Sequence, residues 1–213
     1  MVDEPTLRSV FLAMASKHRS AADAGDLEQI LGALVEQGRA AWPELALPAP
    51  LFVRHLARHA GRGGSPSSLR ELCVEDLYLA CACAHGAPGA AVAFERHQLA
   101  RVSGFLSRMA AAPDLVDEVK QELRIKLLVP APGAAPKIAE YSGRGALASW
   151  LRVVALRTAI DLRRRHDEGL PPPEPRDVSD DDRAALADLA AVLVNDLELR
   201  GGADSAPTGA RSL

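Results

Sequence analysis

Between Lys137 and Arg165 stand seven basic residues (Lys137, Arg144, Arg152, Arg157, Arg163, Arg164 and Arg165) and two acidic ones, Glu140 and Asp161. The block therefore carries +5, while the whole chain carries −3 and its remaining residues −8. A cationic block inside an otherwise acidic chain is the charge pattern of a polyanion-binding surface. Tyr141 and Trp150 are interleaved with these cations, and the turn sequence Ser142-Gly143-Arg144-Gly145 lies between the two rings. Guanidinium groups pair bidentately with phosphate or a guanine edge, and an indole stacks on an unpaired base for ~1–3 kcal/mol. Extruding a base costs about a few kcal/mol of stacking, which a ring or apolar pocket must offset. Two plainer roles compete. Arg163–Arg165 would complement the negative end of a helix dipole, and Trp150 would pack inward as helix aromatics commonly do.

A second group of residues has ligand chemistry. His55 and His59 are four apart, a helical spacing that puts both on one face and suits zinc. Cys73, Cys81 and Cys83 could complete a redox-sensitive site, but no Cys-x-x-Cys occurs. Buried small thiols and surface imidazoles are the favoured reading, so neither a metal nor a cofactor is expected. The Gly61-Arg62-Gly63-Gly64 stretch lacks the Lys-Ser/Thr of a phosphate loop and reads as a turn. Glu95/His97 and Asp117/Glu118 have no convergent partner in the sequence. No nucleophile elbow, His-Glu-x-x-His or dinucleotide fingerprint is present, and the chain is not expected to be an enzyme.

The elements that must position these groups are helices. Alanine and leucine are abundant and alternating β-branched runs are absent, which predicts an all-α fold. Amphipathic helices are expected over 6–17 and 26–41, the latter carrying Leu27, Ile30, Leu31, Leu34 and Val35, with a shorter one over 51–60. GRGGSPSS at 61–68 reads as a loop, followed by a helix over 69–84. One long helix is expected over 90–110, and another over 114–128 with Val116, Val119, Leu123 and Leu127 on one stripe. The segment 130–136 with its three prolines is a loop, 137–145 a short helix or turn, and 146–165 a well-formed helix. On that last helix Leu147, Leu151, Val154, Thr158 and Leu162 fall together and should face a core. Trp150, Val153, Arg157, Ile160 and Arg164 form a second stripe, with Arg152 and Arg163 on the other flank. Beyond the stiff PPPEP at 171–175 an acidic helix is expected near 180–199, then a flexible Gly/Ser/Pro tail.

The chain's 213 residues, 48% apolar and 25% charged, suffice for a sizeable core. No apolar run approaches the ~20 residues that span a bilayer, and MVDEPTLRS is not a signal peptide. Three cysteines exclude a disulfide framework and point to a reducing cytoplasm, with no membrane partner.

Taken in order, four segments resemble region 2 of the bacterial sigma-70 family, nearest its extracytoplasmic-function type. They are Ala93-Phe94-Glu95-Arg96-His97, Glu118 to Leu128 (EVKQELRIKLL), Tyr141 to Ala155 (YSGRGALASWLRVVA) and Asp161-Leu162-Arg163-Arg164. The resemblance covers roughly 76–166. It implies a helical N-terminal extension over 1–75, a region 2-like bundle over 76–168, and a Pro-rich linker with acidic tail over 169–213. It also implies two surfaces. Glu118, Gln121, Glu122 and Ile125 would dock on core RNA polymerase, at the coiled coil of its largest catalytic subunit. Lys137, Tyr141, Arg144, Trp150, Arg152, Arg157 and Arg163–Arg165 would open and hold the minus-ten element of promoter DNA during transcription initiation. The chain departs from the family where many members have Arg-Asn, since Leu156-Arg157 stands there. The residues after Leu170 accommodate no helix-turn-helix of the kind that forms region 4. The alternative is thus a region 2-only regulatory module that docks on polymerase or an anti-sigma partner without initiating transcription. In that case the acidic stretch 167–199 could screen the basic helix.

Overall fold

The computed structural model describes residues 6–14, 24–60, 66–109 and 111–169, which belong to one unit, Met1–Pro172. A second unit, Pro173–Leu213, contains the expected acidic helix and tail and lies outside the described residues, as does the expected turn at 61–64. Among the described residues every regular element is a helix, as composition predicts. None of these helices is long and apolar enough to cross a membrane.

The helices are α1 (Leu7–Met14), α2 (Ala24–Ala41), α3 (Ala49–His59), α4 (Pro66–Arg70), α5 (Val74–Ala84), α6 (Ala90–His97), α7 (Val102–Leu106), α8 (Pro113–Leu128) and α9 (Leu147–Glu168). At the N-terminal end, Glu28 of α2 accepts the Leu7 and Arg8 N–H groups at 3.2 and 2.7 Å, which satisfies donors that α1 leaves open. Phe11 of α1 enters the core at 1% exposure, and α1 packs against α2 and α3.

Helix α5 is the hub. It packs against α2, α3, α6 and the 3-10 turn Lys137–Glu140, and all residues from Leu77 to Cys83 are buried. A helix apolar all round can persist only when wrapped by others. At its crossing with α2 the backbone approach is so close that a methyl on Gly38 would overlap the Tyr78 ring. The boundary expected near residue 75 thus falls inside one shared core, which runs from Phe11 through Phe52 and Tyr78 to Leu162.

Two expected helices are each interrupted. Residues 69–84 divide at 71–73, because the Cys73 N–H leaves the helix pattern to donate to Gly143 O at 2.8 Å. Residues 90–110 divide at Gln98, where a 3-10 turn over Leu99–Arg101 intervenes. The buried residues Ala90, Ala93 and Phe94 are followed by Leu99, Val102 and Leu106. The five-residue step from Phe94 to Leu99 puts them about 140° apart on an unbroken helix, and the break at Gln98, with φ −114 and ψ −56, lets both face the core. On α8 the buried stripe is Leu115, Val119, Leu123 and Leu127, with Val116 half-buried beside it.

Candidate nucleic-acid interface

The basic segment is held at its start by a corner of the fold 70 residues away in sequence. Besides the Cys73 bond to Gly143, Asp76 Oδ2 accepts the Leu147 N–H at 2.7 Å. Ala146, in the N-cap position of α9, has no side chain that can cap. Asp76 supplies both the missing acceptor and a negative charge at the positive end of the helix. Burial raises the Asp76 carboxyl above its ordinary range, against the opposing pull of the Leu147 N–H and of Arg101. Gly143 adopts φ +74 directly over Leu72 and Leu77, where a Cβ would stand 3.3 Å from Leu77 Cδ2. A left-handed conformation in so little space requires glycine. The turn is therefore seated on the 71–73 connection and the first turn of α5, with Arg144 exposed at its tip.

Tyr141 departs from its expected role. It is 1% exposed, and its hydroxyl donates to Gly145 O at 2.6 Å. Burial pushes the phenol far above its usual range, with the charge of Asp76 adding to the effect. The ring braces the turn from inside and presents no face for a base to stack on. Trp150, half-buried, packs on the core with its ring centroid 5.9 Å from that of Tyr141 and tilted by 56°. Its burial is partial, part of the ring packed and the remainder in reach of solvent.

Along α9 the predicted inward stripe is buried throughout, from Leu147 to Leu162. Gly169, left-handed at φ +62, ends the helix, accepting no side chain's help as its N–H donates to the Arg165 and His166 carbonyls. Twenty-two residues give a rod about 33 Å long. Of the second stripe, Val153 is buried, Ile160 is 57% exposed and Arg164 is exposed. Arg163 is exposed on the other flank, and Arg152 and Arg165 are half-buried. Arg152 Nε is sealed from solvent without a hydrogen-bond partner. Lys137 and Arg157 are half-buried, and each has an interaction within the chain. The most accessible cations are thus Arg144 at the turn and Arg163 and Arg164 near the far end of the helix.

Helix α8 packs along α9 and presents the other expected surface. Glu118 is exposed, its carboxylate oxygens 3.3 and 3.1 Å from His166 Nε2. Gln121 Oε1 accepts from Arg124 Nη1 at 3.1 Å. Arg124 in turn grips Glu95 of α6 bidentately, at 2.8 Å through Nε and 2.5 Å through Nη2. Hydrogen bonding and charge from Arg124 hold the Glu95 carboxyl below its ordinary range. Glu122 is half-buried, Ile125 is 47% exposed, and Val129 lies one turn beyond it at 57%. The result is a polar strip with an apolar centre, braced from α6. His97, the other half of the 95/97 pair, sets its ring edge-on to Trp42 at 5.0 Å.

The residues that seat the turn, Cys73, Asp76 and Leu77, are not among those the sequence singles out for this surface. An acidic residue in the first turn of α5 is a visible signal, but its acceptor role depends on a contact across the fold. His55 and His59 do share a face, ring centroids 4.7 Å apart, but they are not the expected surface imidazoles: α3 turns His55 into the core at 1% exposure and leaves His59 half-buried. His59 Nε2 lies 3.2 Å from Ala139 O, while the Cys81 thiol is directed to Leu51 O at 3.9 Å and the Cys83 thiol to Ala90 O at 3.4 Å. Burial pushes the Cys81 and Cys83 thiols up to about 12, which disfavours the thiolate that zinc needs. Among the described residues no three His, Cys, Asp or Glu side chains converge on one point. Comparison with protein-family models, with curated proteins and with solved structures finds no match to this chain.

Proposed function

We propose that this chain is a sigma region 2-like protein that holds promoter DNA along the 141–165 segment and docks on core RNA polymerase through α8. It would act in the cytoplasm, without catalysing a reaction itself. The observation that carries this reading is the seated turn. A left-handed glycine loop pinned by Cys73 and Asp76 feeds directly into a 22-residue helix, with Arg144 exposed at one end and Arg163 and Arg164 at the other. A rigid start fixes where a strand would meet the helix, so cations can be placed in register with phosphates. On α8, Ile125 with Glu118, Gln121 and Glu122 offers a docking strip separate from the basic helix.

Burial of Tyr141 favours a second reading. With one ring withdrawn, less aromatic surface serves base capture, and a module that docks on polymerase or an anti-sigma partner without opening DNA becomes the alternative. Single-stranded minus-ten oligonucleotides, titrated at rising salt, test the first reading. The wild-type protein should bind with a steep salt dependence, and replacing Arg163, Arg164 and Arg165 with Ala should lower the log–log slope by about 2, near 0.7 per lost phosphate contact. No binding, or a slope untouched by the triple substitution, would sink it. Core polymerase binding with no transcript in a run-off assay would select the docking module.

A further inference from the structure

A second cationic surface lies on α3 and α5, outside the segment discussed above. Arg54 and Arg58 are one turn apart on α3, and both are exposed. His85, exposed at the C-cap of α5, is close enough to feel both guanidinium charges, and α3 packs against α5. Neither arginine forms an ion pair with a described residue. The charges acting on His55, His59 and His85 are all basic, with no carboxylate among them. Beneath them His55 is 1% exposed with both ring nitrogens unpartnered, so the layer under the patch offers no neutralising charge either. Like charges at i, i+4 destabilise a helix slightly, and in an acidic chain such a bare cluster stands out. The end of α3 also touches the first surface. His59 Nε2 meets Ala139 O at 3.2 Å, inside the Lys137–Glu140 turn that leads into Gly143.

We propose that Arg54, Arg58 and His85 form a second phosphate-contacting surface that takes the backbone of the same DNA flanking the part held at 141–165. This rests on the nucleic-acid reading above and assigns the N-terminal helices a share in binding. Contacts of this kind add affinity and salt dependence while reading no sequence.

The test uses the full chain, a short single-stranded minus-ten probe, and the same segment extended on both sides by duplex. Arg54→Ala/Arg58→Ala should leave the short-probe slope unchanged and lower the extended-probe slope by about 2, near 0.9 per phosphate on duplex. Arg54→Lys/Arg58→Lys keeps the charges and should restore it. An unchanged extended-probe slope in the alanine variant overturns the proposal, as does tight binding of poly-glutamate in place of the duplex flank. If Arg163→Ala/Arg164→Ala alone lowers the slopes, only this second surface fails. If the wild-type protein binds neither probe, the reading of the first surface fails and takes the second with it.

Discussion

His55 cannot take up a proton where it sits without placing a charge in a dry layer beside other bases. Burial above all, then the charges of His59, Arg58 and His85, lowers its pKa from 6.5 to about 3. Burial lowers that of His59 as well, against the pull of the Ala139 carbonyl. In the unfolded chain both imidazoles titrate near their ordinary value. As pH falls from about 6.5 toward 3, the unfolded state binds protons that the native state refuses, so stability falls across that window and is unaffected above it. For His55 alone the loss reaches about 3 kcal/mol at pH 4, at about 1.4 kcal/mol per pH unit. His55→Leu should flatten the decline in thermal midpoint between pH 7 and pH 4. It should change stability little at pH 7, since the two ring nitrogens it removes have no partners to lose. An acid-side decline as steep as that of the wild type would show that other groups control it. The spacing of His55 and His59 is plain in the sequence. Their burial is not, because it depends on α5 lying across α3.

At the scale of elements, the Gly143 turn makes α9 more than an amphipathic rod. Gly143→Ala forces a side chain into the left-handed region and against Leu77, which should cost about 1–2 kcal/mol. Asp76→Ala leaves the Leu147 N–H without its acceptor, and loss of a cap costs about 0.5–2 kcal/mol. Both variants should lower the thermal midpoint and also weaken single-stranded DNA binding, because each loosens the joint that sets α9 in place. A lowered midpoint with unchanged affinity would detach the turn from binding. The inward face of α9 was legible from Leu147, Leu151, Val154, Thr158 and Leu162, since 3.6-residue periodicity is a local property. The interruptions at 71–73 and 98–101 were not. Cys73 departs from helical bonding for a carbonyl 70 positions along, and Gln98 yields to the packing of Phe94 and Leu99 on one core. Tyr141 followed the same pattern, its hydroxyl drawn inward to Gly145 by the fold of the turn.

Over the whole molecule, the N-terminal helices and the basic segment depend on one element. Helix α5 carries Cys73 and Asp76 at its start, meets α2 at Gly38 and Tyr78, and meets α3 through Phe52, whose ring lies 4.9 Å from that of Tyr78. The expected division near residue 75 would separate α1 to α4 from this helix, yet the buried residues form a single cluster. A shared core should unfold in one step. The chain's two tryptophans report two separate joints of this core. Trp42, whose Nε1–H donates to Glu75 O at 2.9 Å, reads the α2–α5 joint, and Trp150 reads the root of α9. In urea, Trp42→Phe and Trp150→Phe each leave one fluorescent probe. Within each variant the fluorescence midpoint should coincide with that of far-UV circular dichroism. If the Trp150 signal in Trp42→Phe departs from the circular-dichroism transition, α9 melts apart from the N-terminal helices. Arg54 and Arg58 would then stand on a body distinct from the 141–165 segment, and the two cationic surfaces would no longer be held in a common frame by α5.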